Sequence, residues 1–299
     1  MMINAAAIDA GVNWKAYLGL CKLRVVSLIV FTAMVGMLLA THDSVPLTTL
    51  FWGLLGIGLG ASCGAAINHI VDQHIDAVMQ RTENRPLPQH QLSTAQALVF
   101  AAGLGVLSLV ILGVMVNWLT AALTLASMVG YAVIYTMFLK RSTPHNIVLG
   151  GAAGAAPPVL GWTAVTGELH TDALLLFLII FIWTPPHFWP LAIKRREDYR
   201  RAGVPMLPVT HGVAFTKLNI VLYTLMLIAV TLMPFLTHMS GVLYLLTAIA
   251  LGAGFLYHAV VLYRSEGDQH AMKTFGYSIF YLSVLFIALL ADHYLLAWL

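Results

Sequence analysis

Charge is what this chain has least of. Asp, Glu, Lys and Arg make up 9% of its 299 residues, against 60% hydrophobic residues and a mean hydropathy of +0.87. A soluble domain carries roughly a quarter charged residues, so that class is excluded. Cysteine is nearly absent too. Cys21 and Cys63 lie far apart and form no disulfide framework, zinc site or redox motif; both read as small buried filler. No polar stretch is long enough for a separate soluble domain. The first apolar run starts after Arg24 and lacks a small-residue cleavage site, so it is expected to stay as a helix and not to be removed as a signal peptide.

In place of charge there are apolar runs close to the roughly 20 residues that cross a bilayer. They predict nine helices, at 25–41, 46–69, 95–116, 118–139, 146–166, 173–193, 216–238, 241–263 and 275–297. The expected fold is all-α: a polytopic membrane protein with a single transmembrane domain over 1–299 and a cytoplasmic N-terminal segment, 1–24. All 15 Lys and Arg fall before the first helix or after even-numbered ones, while Asp43, Glu168, Asp172 and Asp292 face the other side. The positive-inside rule then puts the N-terminus and basic loops in the cytoplasm and the C-terminus outside. The net charge of +3 follows from those loops and calls for no nucleic acid. The external loops read as short, with no polar constellation.

Against that apolar background one run carries chemistry: Asn68-x3-Asp72-x3-Asp76, then Arg81 and Glu83-Asn84-Arg85-Pro86-Leu87-Pro88. Acids near a bilayer are costly and mark ion or substrate pathways. Four-residue spacing puts the three side chains on one helical face, drifting by about 40° per step. Two carboxylates and an amide suit a hard cation such as Mg2+, and the arginines suit phosphate. The competing reading is an interfacial acid cluster neutralised by Arg81 and Arg85. His69 and His74 are read as turned off this face, in packing or interface roles. His42, His90, His170, His238, His258, His270 and His293 are read as ordinary histidines.

A second constellation runs from Trp183 to Pro208. Pro185, Pro186 and Pro190 predict a broken or kinked sixth helix, and such a break would line a cavity. Beyond it His187, Lys194 and Asp198, at offsets 0, 7 and 11, share one stripe if the helix resumes. The two constellations resemble each other and end in Leu87-Pro88 and Leu207-Pro208, a weak parallel repeat. A third loop, Lys140 to Asn146, opens a small-residue helix containing Gly150, Gly151 and Gly154. Lys140 and Arg141 either bind phosphate or anchor that helix at the interface.

Asn68-x3-Asp72-x3-Asp76 with Arg81-Thr82-x2-Arg85-Pro86-Leu87-Pro88 resembles the UbiA-type intramembrane prenyltransferases. Pro185-Pro186-His187-Phe188-Trp189, Asp198-Tyr199-x2-Ala202-Gly203-Val204-Pro205-Met206-Leu207-Pro208 and Lys140-Arg141-x-Thr143-x2-Asn146 with Gly150-Gly151 resemble its haem-modifying branch. The likeness covers about residues 20–295. It implies transfer of a farnesyl group from farnesyl diphosphate to a vinyl group of haem B, giving haem O, in a bacterial inner membrane. Haem B is then substrate, not resident cofactor. It further implies Mg2+ on Asn68, Asp72 and Asp76, and diphosphate on Arg24, Arg81, Arg85, Lys140 and Arg141. Catalytic roles are implied for His187, Lys194, Asp198 and Tyr199. For His187 three roles stay open: an axial contact to iron, a proton acceptor, or a donor to a propionate. Trp183, Phe188, Trp189 or Tyr135 would face the developing cation. A haem O-using oxidase or a haem A synthase is the implied partner.

Two departures stand out. Many relatives carry a second acid motif where this chain keeps Asp198 alone, with Lys194 in place of another acid. The Lys-Pro-Arg expected before the first helix reads Lys22-Leu23-Arg24. Alternatives are a prenyltransferase for a quinone precursor, a transporter, or a structural oxidase subunit. A transporter needs polar access from both sides, and the external side offers none at the level of sequence.

Overall fold

The computed structural model describes residues 13–296. Residues 1–12 of the expected N-terminal segment and residue 297 of the expected last helix lie outside the described residues. The described chain is helical throughout: α1 (Trp14–Leu20), α2 (Leu23–Leu39), α3 (Leu47–Val78), α4 (Thr94–Met115), α5 (Trp118–Val129), a π-helical segment (Gly130–Leu139), α6 (Lys140–Ser142), α7 (Asn146–Ala155), α8 (Pro157–Thr166), α9 (Thr171–Lys194), α10 (Arg196–Arg201), α11 (Leu207–Thr210), α12 (Gly212–Leu236), α13 (Val242–Arg264) and α14 (Ala271–Leu296). Eight spans are long and apolar enough to cross a membrane, and α1 with α2, bent by 52°, makes a ninth. The protein is an integral multi-pass membrane protein with eight such spans among the described residues, or the expected nine where the bent pair counts as one span.

Local chemistry sets the helix ends. Ser93 and Gln96 form a reciprocal capping box at the start of α4. Asn117 caps α5 through Thr120 N and also donates to the Thr163 carbonyl at 2.8 Å, tying α5 to α8. Pro157 starts α8 at a position that needs no amide hydrogen, and Gly167, at φ +72°, ends it. So the expected helix 146–166 is two helices meeting at Ala156. Helices α2 and α8 cross backbone to backbone. A Cβ on Gly36 would lie 2.2 Å from the Pro158 carbonyl oxygen, and one on Gly161 would lie 2.0 Å from that of Ala33. Small residues permit such contact between membrane helices.

Two expectations fail here. First, α9 runs unbroken through Pro185, Pro186 and Pro190. Tertiary packing overrides the missing amides: both members of the Pro-Pro pair are buried, and Trp183 Nε1 pins the helix by donating to the Ser278 carbonyl at 2.8 Å. Irregular backbone appears instead in the second half of the fourth span. There the Thr136 hydroxyl donates to the Tyr131 carbonyl, five residues back, at 2.7 Å, matching the wider π turn. Second, α3 extends nine residues past its expected end, so the acid motif lies inside a helix. At 1.5 Å per residue its 32 residues span about 48 Å, longer than a hydrocarbon core, which places the motif toward the membrane boundary.

Candidate functional site

Asn68, Asp72 and Asp76 share one face of α3, as their spacing predicts, and are 5%, 1% and 3% exposed. Asn68 Nδ2 donates to Asp72 Oδ2 at 2.7 Å and to the Thr136 hydroxyl at 3.4 Å. Lys140 Nζ pairs with Asp72 Oδ2, and Lys22 Nζ donates to Asn68 Oδ1. Arg85 closes the other end, 2.6 Å from Asp76 Oδ2. Two carboxylates thus meet three cations, leaving one excess positive charge in a largely dry place. Asp72 Oδ1 is buried without any partner. Among the described residues no three His, Cys, Asp or Glu side chains converge on a metal position; the oxygen donors here are two carboxylates and one amide.

Other expected residues fall in three groups. Arg85 and Lys140 belong to the cluster. Arg81 and Arg141 flank it: Arg141 donates to the Val71 carbonyl at 3.2 Å, and Arg81 sits beside the Tyr199 hydroxyl. Burial pushes the Tyr199 phenol above its ordinary range, with Arg81 opposing part of that shift. Arg24 is exposed, and Lys22 enters the cluster in its place. Lys22 sits in the α1–α2 break at φ +50°, left-handed backbone that is uncommon for a residue with a side chain. The expected stripe of His187, Lys194 and Asp198 does not form, because α9 ends at Lys194 and α10 restarts after Arg195. Lys194 pairs with Asp268 at 3.1 Å. Asp198 pairs with Arg201 at 2.5 Å and Arg195 at 3.8 Å.

His187 is stacked between Trp183, 4.1 Å between centroids, and Phe275, at 4.7 Å. Its Nδ1 lies 2.7 Å from Ser278 Oγ, whose single hydrogen goes to the Phe275 carbonyl at 2.6 Å. Ser278 therefore accepts from His187. This assigns the ring proton to Nδ1 and leaves a lone pair on Nε2.

The model of the UbiA prenyltransferase family matches residues 29–290. This chain belongs to that family. It is 64% identical over 283 residues to a protein of Nitrosococcus oceani named protoheme IX farnesyltransferase, covering 95% of each chain. A solved digeranylgeranylglyceryl phosphate synthase has the same fold, with a TM-score of 0.79 at 18% identity, covering 94% of this chain and 98% of that one. So does a UbiA homologue from Archaeoglobus fulgidus bound to DMAPP and Mg2+, with a TM-score of 0.66 at 16% identity, covering 92% and 99%.

Around this family member's acid cluster, the π segment carries Tyr131 and Tyr135, stacked at 5.7 Å. A Cβ on Gly150 would lie 2.2 Å from Tyr135 Cδ2, so the glycine makes room for that ring. From Tyr135 an apolar groove of about 470 Å³ runs past Gly130, Ala153 and Ala156 to Leu169 and Phe177. Trp189 is buried edge-on against Tyr223, with ring centroids 5.2 Å apart.

Sequence reasoning missed Tyr131, Thr136 and His69, and held Lys22 only as half of the basic pair with Arg24. It assigned His69 to another face, yet seven residues is close to two turns, and His69 lies about 20° from Asp76 around α3. It is buried at 2% exposure. The far end of the bundle also needs correction. A cavity of about 260 Å³ is lined by His42, Glu168, His170 and Asp172, and His293 stacks on His42 at 4.3 Å. The loops are short, but they gather polar groups from three distant stretches of chain, so the sequence argument against a transporter fails. Family membership decides the class instead.

Proposed function

We propose that this chain is a protoheme IX farnesyltransferase, moving a farnesyl group from farnesyl diphosphate to a vinyl group of haem B. The observation that carries the reading is near full-length identity of 64% to a relative of that name, joined to a buried cluster of oxygen donors and cations. The products are haem O and diphosphate. The allylic C–O bond breaks, and its electrons leave with the diphosphate. The vinyl carbon bonds to the farnesyl carbon. Water adds to the resulting cation and gives up a proton, which leaves the hydroxyl of the hydroxyethylfarnesyl chain.

The donor set fits a hard cation: all three donors are oxygens, and Asp72 Oδ1 lacks a partner. Asp72 and Asp76, with Asn68, would hold Mg2+, which when bound would supply positive charge to the diphosphate oxygens. Arg85 and Lys140, which pair with the two carboxylates, would bind the diphosphate. Arg81 and Arg141 close over it, and Lys22 fills the role the sequence gave to Arg24. Positive charge already in place at the leaving oxygens lowers the barrier to C–O cleavage. Tyr131 and Tyr135 offer π-faces to the allylic cation. The apolar groove beside Tyr135 takes the farnesyl chain. His187 presents Nε2 to the haem side of the reaction, its tautomer fixed by Ser278. Tyr199 stays protonated as a donor, and Lys194 and Asp198 hold the loop around it. The clustering of Lys and Arg at the acid end favours the cytoplasm for that end.

Haem extracted from cells that lack the endogenous activity and express this chain tests the reading. Haem O is the expected product. Haem B alone, from well-expressed protein, overturns it.

A further inference from the structure

His69 is the one polar residue of the acid-bearing stripe that finds no partner. Both of its ring nitrogens are buried and unbonded. Two other packed histidines are placed differently: His187 bonds Ser278 and His293 bonds the Thr41 carbonyl. A neutral imidazole carries one donor and one acceptor, and burying both without partners costs free energy that an apolar side chain would not. A leucine would pack there and suit a helix interior better. His69 precedes Asp76 by almost two turns on the same azimuth and adjoins Asn68. The charges of Lys22 and Arg85, which face Asn68 and Asp76, reach its ring. The surroundings are therefore positive, and the missing partner is an anion with acceptor oxygens.

We infer that His69 is a substrate-binding residue: one ring nitrogen donates to an oxygen of the prenyl diphosphate, and the other accepts from water held in that ligand's shell. The inference rests on the proposed reaction for the identity of the ligand, but not for the identity of the acceptor. A haem propionate is the other anion the reaction brings, so the two substrates must be tested apart.

The experiment uses full-length protein in nanodiscs, as wild type and as His69→Leu, His69→Phe and His69→Gln. It reads the thermal midpoint without substrate, the Kd for farnesyl diphosphate with Mg2+, and the Kd for haem B. The apolar variants are expected to keep or raise the midpoint while weakening farnesyl diphosphate by about ten- to a hundredfold, the loss of a hydrogen bond to a charged group. Haem B affinity is expected to stay within about twofold, and Gln, with its own donor and acceptor, to stay within about threefold of wild type for both ligands. Unchanged farnesyl diphosphate affinity in the Leu and Phe variants overturns the inference, as does a loss confined to haem B. The Phe variant keeps the test open should Leu fail to fold. If wild type makes no haem O yet shows this same dependence on His69, the acceptor assignment falls and the inference stands.

Discussion

Asp72→Asn separates what the acid cluster does for stability from what it does for the reaction. Asp72 is 1% exposed, and its Oδ2 receives both Lys140 and Asn68. Neutralising it leaves the Lys140 ammonium, 14% exposed in its side chain, beside Lys22 and Arg85 with one carboxylate between them. Removing one partner of a buried pair costs about 3–5 kcal/mol. At about 2–4 °C per kcal/mol for larger domains, the thermal midpoint should fall by roughly 6 °C or more. Asp72→Asn combined with Lys140→Met removes both charges and should recover about 2 kcal/mol of that loss, the coupling expected of contacting residues. Haem O formation should not recover. Both proteins should stay on the order of a hundredfold below wild type, because a carboxylate that would hold the cation against the leaving group is gone. Thermal midpoints in nanodiscs and chromatographic haem analysis on the same preparations provide the readout. An unshifted midpoint in Asp72→Asn refutes the buried pair. Restored haem O formation in the double variant refutes the assigned role of Asp72.

Three more perturbations follow from the geometry. Gly150→Ala drives a methyl into the Tyr135 ring; overpacking of about 1–3 kcal/mol should appear as lost stability together with reduced kcat, and a normal kcat would remove Tyr135 from the cation's surroundings. Ala153→Phe fills the apolar groove and should shift preference from farnesyl to geranyl diphosphate in a competition assay, whereas unchanged preference would assign the groove to bilayer lipid. Chelation with EDTA should abolish product formation and Mg2+ should restore it, with persistence of activity in EDTA counting against the oxygen-donor reading.

Several features were legible in the sequence because they are local. The spacing of Asn68, Asp72 and Asp76 needs only helical periodicity, and the segregation of Lys and Arg needs only an ordered count of apolar runs. What stayed hidden depends on contacts between distant stretches. Lys22 reaches Asn68 across 46 positions, and no pattern near Lys22 announces that partner. The far-end cavity joins His42 to Glu168, His170 and Asp172, so each looked bland in its own loop. The stripe of His187, Lys194 and Asp198 failed for a different reason. It assumed one helix across Arg195, where the chain turns. Pro185 and Pro186 misled because helix propensity was weighed without the packing that keeps α9 continuous. His69 was readable from azimuth alone and was assigned to the wrong face.

The most direct test of the central claim offers purified protein, Mg2+ and labelled farnesyl diphosphate two acceptors at once, haem B and 4-hydroxybenzoate. The account predicts label in a haem whose mass has grown by one farnesyl group and one hydroxyl group, and none in the benzoate. Label in the benzoate, or in neither acceptor from well-folded protein, would contradict it.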